Sequence, residues 1–167
     1  MTSQAWVPVQ LVGVRAADDE TVVLLLDGVD GLLVPILVGR SEAAAIAAAQ
    51  AGLVPPRPMT HDLLRSVIDT LGAHVDRVEI ARLEHGVFFA ELVFSDGNRV
   101  DSRASDAIAL ALRAHCPILC ASGVLQTAGV TVQVSPSEDD LEEFREFLDE
   151  VSADDFGAAP EESPHEE

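Results

Sequence analysis

The stretch Asp101-Ser102-Arg103-Ala104-Ser105-Asp106-Ala107-Ile108-Ala109-Leu110-Ala111-Leu112 decides how this chain is read. Its first six residues hold two acids, an arginine and a serine suited to capping. Ser105 is expected to accept a free backbone N–H of a first helical turn. Asp106 follows in that turn, where the helix dipole favours negative charge. From Ile108 to Leu112 every residue is apolar, which marks a helix buried on all sides. Polar groups therefore gather at the mouth of a buried helix, and the rest of the chain is read by what else reaches that mouth.

Upstream, Val75 to Leu83 and Val87 to Phe94 read as strands joined by Glu84-His85-Gly86, and Asp96-Gly97 is a strong second turn. Residues 5–15, 21–27 and 32–38 read as an antiparallel meander, with Pro8 suggesting an edge or a bulge. Residues 117–121 read as a short strand, 122–128 as a helical turn and 130–134 as a last strand. Ser41 is expected to cap an alanine-rich helix that starts with Glu42 and stops at Gly52. Thr60 is expected to cap another, with Leu63, Leu64, Val67, Ile68 and Leu71 as its apolar stripe. His61, Arg65 and Asp69 then fall on its opposite, polar side. The sum is an α+β domain over residues 1–135, a mostly antiparallel sheet with several buried or flanking helices. The likeness of Gly39-Arg40-Ser41-Glu42 to Ser102-Arg103-Ala104-Ser105-Asp106 is weak but fits an internal duplication.

Of the 167 residues, 48% are hydrophobic and only 4% aromatic, so the core is aliphatic and large enough for one domain. No apolar run reaches membrane-spanning length, and no basic-then-apolar leader is present. A cytoplasmic location is the expectation. Cys116 and Cys120, four residues apart along a strand, would lie too far apart for a disulfide and read as buried thiols. Residues 1–135 carry nine arginines against fifteen acids, and residues 136–167 one arginine against fourteen. A capped acidic helix is expected at 136–151 and a disordered acidic tail at 152–167. Such a charge does not suit a nucleic-acid binder unless arginines concentrate locally. Arg40, Arg57, Arg65, Arg103 and Arg113 all fall in or beside the helix starts.

Three segments together resemble the bifunctional nuclease domain family. They are Pro35–Gly39 with Glu42–Ile46, Pro56–Leu64, and Asp101–Ala111. The likeness extends over roughly residues 6–134, departing at Ala104, where a proline is common. It implies an α+β fold, usually dimeric, and an assigned activity on both RNA and DNA; a metal-assisted nuclease of low sequence specificity is the expectation.

The chemistry of the residues suggests roles. Paired carboxylates can hold Mg²⁺ or Mn²⁺, which would polarise a phosphate and activate water. Glu42, Asp101 and Asp106 are the candidate metal ligands. His61, Asp62, Asp101 and Asp106 are the candidate catalytic groups, with His61 as general acid or base. Arg57, Arg103 and Ser105 are the candidate substrate contacts, the arginines because guanidinium pairs with phosphate bidentately. A second reading stays open beside it. The acids are then helix caps and ion-pair partners, and the chain is a non-catalytic dimeric module for a protein or a small anionic ligand.

Overall fold

The computed structural model describes residues 4–17 and 20–131 of the chain. The acidic helix and tail expected beyond residue 135 lie outside these residues. Three strands come first: β1 (Trp6–Ala17), β2 (Glu20–Asp27) and β3 (Leu32–Val38). Helices α1 (Arg40–Gln50) and α2 (Thr60–Thr70) follow. A second meander, β4 (Val75–Glu84), β5 (Val87–Phe94) and β6 (Arg99–Arg103), leads into α3 (Ala104–Ala114). β7 (Ile118–Ala121), α4 (Ser122–Ala128) and β8 (Val130–Thr131) complete the described part.

The strands form one sheet in the order β6-β5-β4-β7-β1-β2-β3-β8. Only β4 and β7 pair in parallel; the other neighbours are antiparallel. The parallel pair is joined by a crossover through α3, as such a pair requires. The sheet is thus two three-stranded meanders held on either side of β7, and each meander runs into a helix.

Strand periodicity explains which face is covered. Along β2, Thr21, Val23, Leu25 and Asp27 are buried, and the residues between them are half-exposed. Val78, Ile80, Ala90 and Cys120 extend the buried face across β4, β5 and β7. Against this face lies α3, with seven of its eleven residues buried, from Ala104 to Ala111. α1 packs on α3 with Ala43, Ala45 and Ile46 inward. Small alanines let the two backbones approach. The turns follow their residues: His85 and Gly86 both take positive φ, at 50° and 80°, between β4 and β5, as a tight two-residue hairpin demands.

Two expectations are corrected. Pro8 lies in a central strand, not at an edge, and the bulge in β1 falls between Leu11 and Gly13. Pro8 is tolerated because pairing with β2 begins only at Val9, so its missing N–H faces no partner on that side. The second correction concerns α2. Its apolar stripe does not face the core: Leu63, Leu64, Val67 and Leu71 are exposed, and only Ile68 packs against the core cluster. The side turned inward carries His61 and Asp62. Both cysteines are free, but Cys116 precedes β7 and only Cys120 lies within it. Burial pushes the Cys120 thiol up to about 12, with Asp27 adding to the effect.

Candidate functional site

Among the described residues the three long helices begin alike. Gly39, Met59 and Arg103 are the N-cap residues. The third residue of each helix is then an acid: Glu42, Asp62 and Asp106. Ser41, Thr60 and Ser105 stand inside the first turns and cap none of these helices with a side-chain hydrogen bond. An acid at the third position reaches back over the helix end and makes a hydroxyl cap unnecessary. Asp62 shows this directly, accepting the Met59 backbone N–H at 2.9 Å. The Ser41 hydroxyl instead donates to Glu42 at 2.8 Å, and Ser105 is buried at 8% exposure.

The acids are tied to one another by two arginines and one histidine. Arg103 Nε and Nη2 donate to the two oxygens of Asp106 at 2.7 and 3.1 Å. Its Nη1 donates to Glu42 Oε1 at 3.2 Å, which joins the starts of α1 and α3. His61 Nε2 lies 3.0 Å from Asp106 Oδ1, which brings α2 to the same carboxylate. The His61 side chain is 13% exposed and that of Asp106 30%. Arg113 closes the network from behind. It donates to Asp62 Oδ1 at 2.6 Å, to the Ala109 carbonyl at 2.8 Å and to the Ala45 carbonyl at 3.1 Å. One side chain thus clamps α1, α2 and α3.

The charges respond to this arrangement. Burial raises Asp106, but hydrogen bonds from Arg103 and His61 outweigh it and hold the carboxyl below its usual range. The Arg113 hydrogen bond, against some burial, lowers Asp62. Its own backbone N–H and the Ser41 hydroxyl lower Glu42. All three acids are therefore firmly ionised at neutral pH.

A cavity of about 270 Å³ opens over the network, lined by Ser41, Glu42, Met59, His61, Arg103 and Asp106 among others. So Glu42, His61, Arg103 and Asp106 do meet in one cleft. Ser105 lies beside it, in the wall of a neighbouring cavity. Asp62 is one step behind, paired with Arg113. Asp101 is exposed on β6, opposite Glu91, and Arg57 is exposed on the connector before α2. Neither lines the cleft. Sequence reasoning noted Arg113 among the local arginines but gave it no role. The signal was there: an arginine ending an otherwise apolar helix must pair if it is buried.

Among the described residues no group of three or more His, Cys, Asp or Glu side chains is placed to hold a metal ion. The position between Glu42 and Asp106 is taken by the Arg103 guanidinium. The cleft is instead suited to proton transfer at His61 and to anion binding at Arg103. Three of the five N–H groups of Arg103 are engaged, which leaves two for a ligand.

Among the described residues no helix is long and apolar enough to cross a membrane. The family described as the bifunctional nuclease domain matches residues 23–133. An uncharacterized protein of Mycobacterium tuberculosis is 42% identical over 160 residues, covering 90% of this chain and 98% of its own. Bifunctional nuclease 2 of Arabidopsis thaliana is 32% identical over 108 residues, 61% of this chain and 33% of the plant protein. Bifunctional nuclease 1 of Oryza sativa subsp. indica is 28% identical over 130 residues, 74% of this chain and 39% of the rice protein.

Proposed function

This chain belongs to the bifunctional nuclease domain family, and on that premise we propose that it hydrolyses phosphodiester bonds in RNA and DNA, with little sequence preference, at the cleft over His61, Arg103 and Asp106. The observation that carries the reading is the contact of His61 Nε2 with Asp106 Oδ1 at 3.0 Å, on a carboxylate that also anchors Arg103. With Nε2–H donating to Asp106, the other ring nitrogen carries the lone pair. That nitrogen accepts the proton of the attacking hydroxyl, from water or from a ribose 2′-OH. The new O–P bond forms, the bond to the leaving oxygen breaks, and that oxygen takes a proton from solvent. The two remaining N–H groups of Arg103 hold non-bridging phosphoryl oxygens and offset the charge that builds on them. Glu42 and Asp106 fix the guanidinium, and Asp62 with Arg113 fixes the helix that carries His61. Arg57, outside the cleft, is left for a flanking phosphate.

No step in this reading passes through a metal ion, because Arg103 already supplies the positive charge between the carboxylates. Asp106→Asn is expected to lower the cleavage rate of a fluorescent oligonucleotide at least about a hundredfold, the worth of a positioned acid–base group. Wild-type cleavage should persist in a chelator. Loss of activity on chelation would contradict the metal-free arrangement.

The exposed stripe of Leu63, Leu64, Val67 and Leu71 supports a homodimer as the working form. The stripe carries no charge, so two copies of this strongly acidic chain can meet there without opposing like charges. Val67→Asp should convert the dimer to monomer in light scattering. A wild-type monomer would refute the homodimer, and a Val67→Asp dimer would place its interface elsewhere.

One observation favours the second reading, a non-catalytic module that binds an anionic ligand. Arg103, the arginine in the cleft wall, is already paired with two carboxylates. Saturable nucleotide binding with no cleavage under any condition would select it.

A further inference from the structure

Beside the cleft lies a second cavity of about 350 Å³, and the two share the Glu42–Arg103 pair in their walls. One side of Arg103 therefore faces His61. The other side faces a lobe built from the end of β3, the hairpin turn at Gly86 and the start of β5. The lobe walls are unlike the cleft. They present Ile36, Leu37, Val38, Val87 and Phe88, and the only charged groups are Glu42 and Arg103 at the shared mouth. Leu37 and Val87 are 65% and 55% exposed, so the core of the described chain leaves them uncovered. Phe88 packs its inner side on that core and offers the only aromatic ring in the lobe.

We propose that this lobe is the subsite for one base of the nucleic acid whose phosphate Arg103 holds. The inference rests on the nuclease reading and names how that site takes its substrate. A nucleobase is planar, uncharged and joined through one sugar to a phosphate. It matches an apolar lobe with an aromatic wall that begins at an arginine. Base stacking on an aromatic ring is tolerant of sequence, because every base has a π-face. The lobe has no Asn, Gln, Asp or Arg side chain beyond its mouth to read a base edge. The subsite therefore favours a base over no base, and does not choose strongly among the four.

The test is binding to the intact chain, measured by titration calorimetry with adenosine 5′-monophosphate, the three other nucleoside monophosphates, ribose 5-phosphate and inorganic phosphate. The base should tighten binding about tenfold over ribose 5-phosphate, the effect of one stacked base. The four nucleotides should fall within about threefold of one another, since stacking rather than edge contacts holds them. Phe88→Leu keeps an apolar side chain against the core and removes the ring, and should bring the nucleotide down to the affinity of ribose 5-phosphate. Equal binding of nucleotide and ribose 5-phosphate would overturn the subsite, as would a Phe88→Leu chain that binds like wild type. The nuclease reading fails separately. Base-dependent binding lost in Phe88→Leu, in a chain that never cleaves, supports the subsite and refutes catalysis. Cleavage without base-dependent binding does the reverse.

Discussion

Helices α2 and α3 have the same length and pack together, yet they are held by different forces. α3 buries seven residues and sits against the sheet as a core element. α2 buries none, although its apolar stripe is regular. It leans on α3 through Ile68, the His61–Asp106 contact and the Asp62–Arg113 pair. Amphipathic spacing thus tells that a helix has an apolar face, and leaves open which surface covers it. The difference also matters for chemistry. His61, the proposed base, sits on the helix with no buried residues, and its partner Asp106 on the buried one.

The contrast can be broken first from the α3 side. Ala109 is fully buried, so Ala109→Asp places an unpaired charge in the core. A loss above about 4 kcal/mol in urea unfolding is expected, enough to prevent folding of a marginal domain. Next is the clamp. Arg113→Met removes the pairing of Asp62, whose side chain is 27% exposed. Water compensates part of the loss, so about 1–2 kcal/mol is expected. Hydrogen exchange should locate that loss in α2, with the amides of α3 still protected. Protection lost equally in both helices would show that α2 is seated by packing.

The pH dependence sharpens the same point. Asp62 and Asp106 are lowered in the folded chain, relative to an ordinary value of 3.8. A depressed carboxylate contributes stability that is full above the unfolded value and is lost as pH falls through the folded one. α2 should therefore loosen in acid below about pH 4, before the sheet does, as seen by exchange of its amides. In Asp62→Asn that acid-dependent step should shrink. The smallest effect belongs to the stripe. Val67→Ser, at 46% exposure, should shift monomer stability by no more than about 0.5 kcal/mol.

Much of this fold was legible because local signals were strong. His85-Gly86 and the Asp27–Gly31 turn mark their hairpins. In the latter, Asp27 accepts the N–H groups of Val29 and Asp30 at 2.7 and 3.1 Å. The uncharged run after Asp106 announced a buried helix, and one is found there. The site was legible in part. Glu42, His61 and Asp106 share a helix-start pattern, and the structure brings them to Arg103. The caps were misplaced by one or two residues because serine beside an acid looks like a cap when the acid at the third position does the work. The inward turn of His61 was hidden for a different reason. Helical spacing put it on the polar side, and only the distant Asp106 and Arg113 make that side the inner one. Asp101 shares a segment with Arg103, but it lies on exposed strand outside the cleft.

The central claim is that His61, held by Asp106, does the chemistry. Its most direct measurement is the initial rate of oligonucleotide cleavage by His61→Gln, set beside Asp69→Asn. Asp69 is on the same helix and paired only at the surface, 3.5 Å from Arg65. The account predicts that His61→Gln loses at least about a hundredfold in rate, while Asp69→Asn, equally folded, cleaves like the wild-type chain. A His61→Gln protein that retains full activity on both RNA and DNA would contradict it.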